Sequence, residues 1–194
     1  MAGVGAAALW WRKNPSACPY SQRFWVEAPH PIISRSRLRT VLRPRLAERI
    51  LEVGVGTGYY SLDLAEWVGA AGTVELFDLQ QEMLDHVIER ADERGLENLV
   101  PTRGDATALP YDDGSMDATV LTAVLGEIPD REAAMGEIAR VLRPGGRLVV
   151  GELLGDPHFT SPRHVERLGR ESGLVLELRS GPWIGSFSLL RKPG

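Results

Sequence analysis

An open α/β sheet with one reversed strand is the fold class this sequence predicts, and three observations carry the prediction. From Arg49 onward, short apolar strand patterns alternate with helical ones. One of those strands, GRLVVGELL, is a near-continuous apolar run, as the buried centre of a parallel sheet requires. The chain then closes on two strand patterns, LVLELRS and IGSFSLLRK, separated only by GPW. So short a gap cannot hold a parallel crossover, and the last strand must return antiparallel.

The elements follow in order. RILEV reads as a first strand, and a helix from about Tyr59 to Val68 places Leu62, Ala65 and Val68 on one face. TVELFD is a second strand. Met83, Leu84, Val87, Ile88 and Ala91 then repeat at helical spacing until Gly95 stops the helix. NLVPTR is a short third strand and MDATVLTAV a fourth. Asp130 caps a helix that buries Ala134, Ile138, Val141 and Leu142 and ends at Arg143-Pro144-Gly145-Gly146. Ser161-Pro162 supplies the cap and first-turn proline of a last helix ending near Gly173.

The first 48 residues read differently. Prolines 15, 19, 29, 31 and 44 cut them into short pieces, and Trp10, Trp11, Tyr20, Phe24 and Trp25 supply aromatic area. SQRFWVEA and SRSRLRTVLRP can form short helices, the second capped by Ser34 or Ser36. Residues 1–48 are therefore expected to be a helical extension or lid packed on a main domain of residues 49–194.

Composition excludes several classes. With 194 residues the chain is most simply one domain, able to bury about 70% of its unfolded surface. No run of 18 uncharged apolar residues suggests a spanning helix, and GVGAAALWW lacks the basic region and cleavage site of a signal peptide. One cysteine, Cys18, excludes an intramolecular disulfide and a cysteine-rich zinc site, and His30 has no partner at ligand spacing, so no metal is expected. The expected location is the cytoplasm. Net charge is −4, yet Arg12 to Arg49 holds nine basic residues against Glu27 and Glu48. That segment is either a solvated basic face or a surface meeting an anionic substrate or membrane. The acidity of the remainder argues against a nucleic-acid partner.

The chemistry centres on ILEVGVGTGYY. Gly54, Gly56 and Gly58 are spaced G-x-G-x-G, which is neither the dinucleotide fingerprint nor a nucleoside-triphosphate loop. An acid, Glu52, stands just before the turn. A pyrophosphate gains nothing from it, whereas an ammonium or sulfonium does. In doubly wound sheets the ligand lies at the carboxyl ends of the strands. There Asp78 can accept from two ribose hydroxyls, Asp105 from an adenine amine while the Ala106 amide meets the ring, and Ala123 to Ile128 can line the floor.

ILEVGVGTG, FDLQQEML, GDATALPYDDGSMDA and EIARVLRPGGRLVV, in this order and spacing, closely resemble the class I S-adenosylmethionine-dependent methyltransferases. The nearest group is the ubiquinone/menaquinone-biosynthesis-like one. The resemblance runs from about Ile50 to Arg191. It implies a Rossmann-like doubly wound sheet of seven strands, in order 3-2-1-4-5-7-6 with strand 7 antiparallel. It also implies S-adenosylmethionine as cofactor, with S-adenosylhomocysteine as product. Carried over, Glu52, Gly54, Gly56, Thr57 and Gly58 would hold the amino-acid end and Asp78 the ribose. Leu79 and Met83 would flank the adenine, Gly104, Asp105 and Ala106 would meet its edge, and Ala123 would line the floor.

For methyl transfer, positioning in a dry pocket supplies much of the rate, and a base is needed only for a protonated acceptor. After the fourth strand, LGEIPD places Glu127 where many members of the family carry His-His. After the fifth, GELLGDPHF offers Glu152, Asp156 and His158. Glu127 or His158 is the expected catalytic residue. Tyr59 or Tyr60 can close over the cofactor, and Cys18 and Tyr20 lie in the expected lid. The partner is then a small-molecule methyl acceptor, and the protein a monomer or homodimer. Two alternatives stay open: a catalytically silent binding protein, and a peripheral lipid methyltransferase, for which Trp10, Trp11 and the arginines give only a weak anchor.

Overall fold

The computed structural model describes residues 16–22 and 31–194. Trp10, Trp11, Phe24, Trp25, His30 and the cations Arg12, Lys13 and Arg23 lie outside them, as does most of the helix expected at SQRFWVEA. Tyr20–Gln22 forms a 3-10 turn. Helix α1 (Arg35–Leu42) starts at Ser34, whose hydroxyl accepts from the Arg37 amide. It ends at Arg43 in a left-handed conformation, with Pro44 barring continuation. The helix touches β5, β6 and β7 of the sheet, defined next.

Strand β1 (Arg49–Val53) leads through a glycine turn to α2 (Ser61–Val68), then β2 (Thr73–Asp78), α3 (Gln81–Asp92) and β3 (Leu99–Arg103). The chain next crosses to β4 (Met116–Thr122), a 3-10 turn at Leu125–Glu127, α4 (Arg131–Val141) and β5 (Leu142–Leu153). Helix α5 (Pro162–Glu171), β6 (Val175–Ser180) and β7 (Gly185–Arg191) complete it. One sheet runs β3-β2-β1-β4-β5-β7-β6. The first five strands are parallel, and β7 runs antiparallel to both β5 and β6, as expected.

Side chains alternate across the sheet, so each central strand feeds two cores. Ile50, Ala118, Val120 and Val149 join α2 and α3 on one face. Leu51, Val53, Leu121, Leu148 and Val150 join α4 and α5 on the other. The caps predicted at Asp130 and Ser161 are present, accepting from the amides of Ala133 and His164. Two boundaries differ from expectation. Helix α2 begins at Ser61, since Tyr59 and Tyr60 belong to the turn. Arg143-Pro144-Gly145-Gly146, expected as a helix end, falls within the span of β5: Met116 pairs with Leu142 and Ala118 with Arg147, so these four residues bulge out between two paired positions.

Of the six described cations in the basic N-terminal set, three form ion pairs with the main domain. Arg35 pairs with Asp63 at 3.2 Å, Arg43 with Glu177 at 3.5 Å and Arg49 with Glu75 at 2.8 Å. The sheet edges are distinctive. Strand β3 carries Pro101 and exposes Val100, Pro101 and Arg103. Strand β6 slips register at Glu177, between Leu176 and Leu178. Among the described residues no helix is long and apolar enough to cross a membrane, and no cluster of metal ligands occurs.

Candidate active site

Because the chain leaves β1 on one side and returns to β4 on the other, the loops after these strands diverge and leave a crevice. A cavity of about 720 Å³ opens there, within the range of small-ligand sites. Its wall comes from the loops after the first five strands, together with Ile33 and the segment Ser16–Cys18.

The glycine turn forms one side. Gly54, Gly56 and Gly58 all have positive φ, at 74°, 51° and 77°. Gly54 is doubly constrained: a Cβ there would also lie 2.6 Å from Val124 Cγ1, on the loop across the crevice. The turn is held by the Gly54 amide donating to the Phe77 carbonyl at 2.7 Å, and by Arg90 of α3 donating to the Thr57 carbonyl. Gly54 and Gly56 line the cavity, whereas Glu52, Thr57 and Gly58 are not on its wall. Glu52 is buried behind the turn, with Oε2 lacking a partner. Burial raises its pKa to about 8, the Ser61 hydroxyl pulling against that and the charge of Asp78 adding to it.

Asp78 ends β2 at the cavity. Its Oδ2 accepts from the Val55 amide at 3.0 Å and its Oδ1 from the Gln80 amide at 2.9 Å. Burial still outweighs these bonds and raises its pKa. Leu79, Met83, Gly104, Asp105 and Ala106 all reach the wall. The Asp105 carboxylate is engaged locally, accepting from the Thr107 amide and hydroxyl at 2.9 and 2.8 Å, which lowers its pKa.

Gln80 has a role that the sequence did not signal. Its Nε2 donates to the Cys18 carbonyl at 2.9 Å, and its Oε1 accepts from the Tyr20 amide at 3.1 Å. Tyr20 also stands edge-on to His86 of α3, with ring centroids 6.1 Å apart. Residues 18 and 20 are thereby tied to the loop after β2 and to α3, with Ser16–Cys18 on the cavity wall. Tyr60 donates to the Ile33 carbonyl at 2.6 Å and packs edge-on to Tyr59 at 4.8 Å, and both residues line the cavity.

The far end is built by the loops after β4 and β5. Ala123 adopts φ 56°, a conformation an alanine holds only when its surroundings impose it. Its amide donates to the Gly151 carbonyl at 2.8 Å. Glu127, Asp156 and His158 line this end. Burial pushes the Glu127 carboxyl up to about 8; the Asp156 charge adds to this, the Cys18 amide opposes it, and Asp78 contributes further. Asp156 is raised by burial, although the His158 amide donates to its Oδ1 at 2.6 Å. Glu152 lies deeper, 3% exposed, its Oε2 accepting from the Thr160 amide at 2.9 Å and its Oε1 without a partner. Burial again sets its pKa at about 8.

A carboxyl whose pKa is raised on folding stabilises the fold below its ordinary value, and that stabilisation is lost as pH rises through the folded value. For Glu127 the window runs from about 4.5 to about 8. Glu127→Gln is therefore expected to gain stability relative to the parent as pH rises across this window, read as the difference between paired thermal melts. A difference that stays flat would show that Glu127 is not held as a buried acid.

Residues 50–146, half of the chain, match the family described as a methyltransferase domain. The chain is 36% identical over 115 residues to a ubiquinone/menaquinone biosynthesis C-methyltransferase of Cellvibrio japonicus, covering 59% of this chain and 46% of that one. It is 38% identical over 100 residues to a demethylmenaquinone methyltransferase of Lactococcus lactis, covering 52% and 40%. It thus spans less than half the length of these two relatives. A solved S-adenosylmethionine-dependent methyltransferase from Aquifex aeolicus superposes with TM-score 0.81 at 18% identity, over 90% of this chain and 98% of that one. The [4+2]-cyclase SpnF superposes with TM-score 0.72 at 21% identity, over 82% and 79%. A fold shared with a cyclase names no reaction by itself.

The cofactor of the matched family is S-adenosylmethionine, and the wall fits it. The wall is largely apolar, its Asp and Glu side chains are met by no Lys or Arg among the described residues, and Leu79, Met83 and Ala106 flank the end of β2. By the match of half its length to that family, this chain belongs to the S-adenosylmethionine-dependent methyltransferases, and its sheet has the Rossmann-like order of their class I fold.

Proposed function

We propose that the chain transfers a methyl group from S-adenosylmethionine to a small-molecule acceptor, leaving S-adenosylhomocysteine. One observation carries this reading: the cavity at the β1/β4 crevice has Asp78, Asp105, Glu127 and Asp156 on its wall and no described Lys or Arg. Such a wall repels a pyrophosphate and attracts a sulfonium.

In this reading Asp78 takes the ribose hydroxyls, Leu79 and Met83 flank the adenine, and Gly104, Asp105 and Ala106 meet its edge. Gly54 and Gly56 give the amino-acid end access to backbone, with Thr57 and Gly58 shaping the turn and Ala123 forming floor. Glu52 stands behind the turn, off the cavity wall. Bound there, S-adenosylmethionine supplies an electrophilic methyl group. The chain's own groups hold the acceptor in line with it and exclude water, which can supply much of the rate. Residues 1–48 serve as the cover, with Ser16–Cys18 fastened by Gln80. Glu127 and His158 are the candidates for orienting or deprotonating the acceptor. A cation beside Glu127 favours its ionised form, so a raised carboxyl becomes a base as the site fills. These candidate bases favour turnover over a binding-only role. A second reading, methylation of a quinone-precursor ring, is favoured by the similarity to the two relatives named above.

Calorimetry with S-adenosylhomocysteine tests the proposal. Binding is expected, and Asp78→Ala should weaken it by about 1.5–3 kcal/mol, the scale of a hydrogen bond to a charged group. No heat at about 1 mM ligand, weaker than roughly −4 kcal/mol of binding, would sink the reading.

A further inference from the structure

We propose that the acceptor is an amine, bound as its ammonium ion between Glu127 and Asp156, and that Glu127 takes its proton before methyl transfer. This rests on the methyltransferase reading above and names the substrate class for the same cavity.

Among the described residues the acceptor end gathers acids, with no Lys or Arg on the wall beside them. Glu127 and Asp156 both line the cavity, each adding to the other's field, with Asp78 contributing from the loop after β2. Behind them Glu152, buried on β5 with Oε1 unpartnered, is coupled to both. The charged group opposing them from α4 is Arg131, which acts on Glu152 and donates through Nη2 to the Gly126 carbonyl at 2.7 Å, and it is not on the cavity wall. His158, beside Asp156, is the one described wall residue able to carry positive charge. Around this end Ile33, Ile128, Pro129 and Leu153 offer an apolar seat for a carbon skeleton.

A carboxylate acceptor would face these two acids and hold Glu127 in its neutral form, with no described Lys or Arg on the wall to receive the new charge. A phenol or enol must become an anion to be a good nucleophile, and no described Lys or Arg on the wall would receive that charge. An ammonium ion is attracted at entry and becomes neutral at the moment it must attack. The balance closes without a further reagent. R–NH3+ gives one proton to the Glu127 carboxylate, leaving R–NH2 and a neutral carboxylic acid. The nitrogen lone pair attacks the methyl carbon; the C–N bond forms as the C–S bond breaks, and sulfur keeps the electron pair as a neutral thioether. The product R–NH2–CH3+ again faces the two acids, and the Glu127 proton passes to water on release.

Three probes with one skeleton test this on the full chain loaded with S-adenosylhomocysteine: 2-phenylethylamine, 2-phenylethanol and phenylacetate, titrated at neutral pH. The amine should bind at least ~10-fold more tightly than the carboxylate, with the alcohol between. Glu127→Gln combined with Asp156→Asn should erase most of that preference. The ratio is read within one sample, so partial unfolding of a variant does not disturb it. In parallel, S-adenosylhomocysteine release from S-adenosylmethionine is followed with primary amines and with hydroquinones. Methylation of amines supports the proposal. No preference for the amine, a preference that survives the double substitution, or turnover of hydroquinones alone overturns it and leaves the methyltransferase reading intact. Failure of S-adenosylhomocysteine to bind at all overturns both.

Discussion

Replacing Gly126 with alanine is expected to lower turnover by about 100-fold or more, the scale on which a misplacement of 1 Å affects reacting groups. A Cβ at this position falls inside the His158 carbonyl oxygen and lies 2.6 Å from the carbonyl carbon. The obstacle is backbone, which no rotamer change can clear. The segment 155–160 must move, taking Asp156 and His158 with it, while Glu127, the next residue, shifts from the other side. Glu152 is drawn in as well, since it binds the Thr160 amide. Overpacking of this kind also costs roughly 1–3 kcal/mol of stability. Because Asp78 and the glycine turn stand elsewhere on the wall, affinity for S-adenosylhomocysteine should change much less than turnover. Steady-state kinetics beside calorimetry separates the two. A folded Gly126→Ala variant with parental kcat would show that this loop does not position the acceptor.

The largest loss of stability is expected from Arg147→Ala. This guanidinium, 6% exposed, grips Glu48, itself 5% exposed, through both forks at 2.9 and 2.6 Å. Its Nε donates to the Leu42 carbonyl at 2.6 Å and Nη2 reaches the Arg43 carbonyl at 3.3 Å. Glu48 in turn accepts from the Arg45 amide at 2.9 Å. One side chain of β5 thus satisfies the end of α1 and the link into β1. Removing it leaves the Glu48 carboxylate buried without its cation, a change that costs about 3–5 kcal/mol. Urea denaturation should show this as a lower midpoint with an unchanged slope. Pairing it with Glu48→Gln should recover part of the loss, because the uncompensated charge is then gone. A loss under about 1 kcal/mol would mean that the pair is open to water.

Much of the fold was legible because it is written in local periodicity. The alternation of strand and helix patterns, the caps at Asp130 and Ser161, and the short Gly-Pro-Trp link each depend on a few neighbouring residues. The cavity acids Asp78, Asp105 and Glu127 were legible for a related reason, since each ends or follows a recognisable strand. What escaped notice depends on register or on distant contacts. Glu52 could be seen beside the glycine turn, but strand alternation sets it on the face opposite Leu51 and Val53 and off the wall. Nothing in the sequence links Gln80 to Cys18 or Arg147 to Glu48, which are 62 and 99 positions apart. Ala123 gives no sign of its left-handed backbone, because alanine has no preference for one.

The two free borders of the sheet bear on how this protein behaves in a crowded solution. A long flat border with open N–H and C=O groups is a template onto which another chain can add, the first step toward fibrils. One border here, β3, is five residues long and carries a proline that has no N–H to offer. The other, β6, is kinked at Glu177, whose carboxylate is tied to Arg191 at 2.6 Å. Neither presents an uninterrupted ladder. Growth of the sheet by edge-to-edge addition is obstructed on both sides, so the apolar strands at its centre can be dense without making the folded chain prone to aggregate.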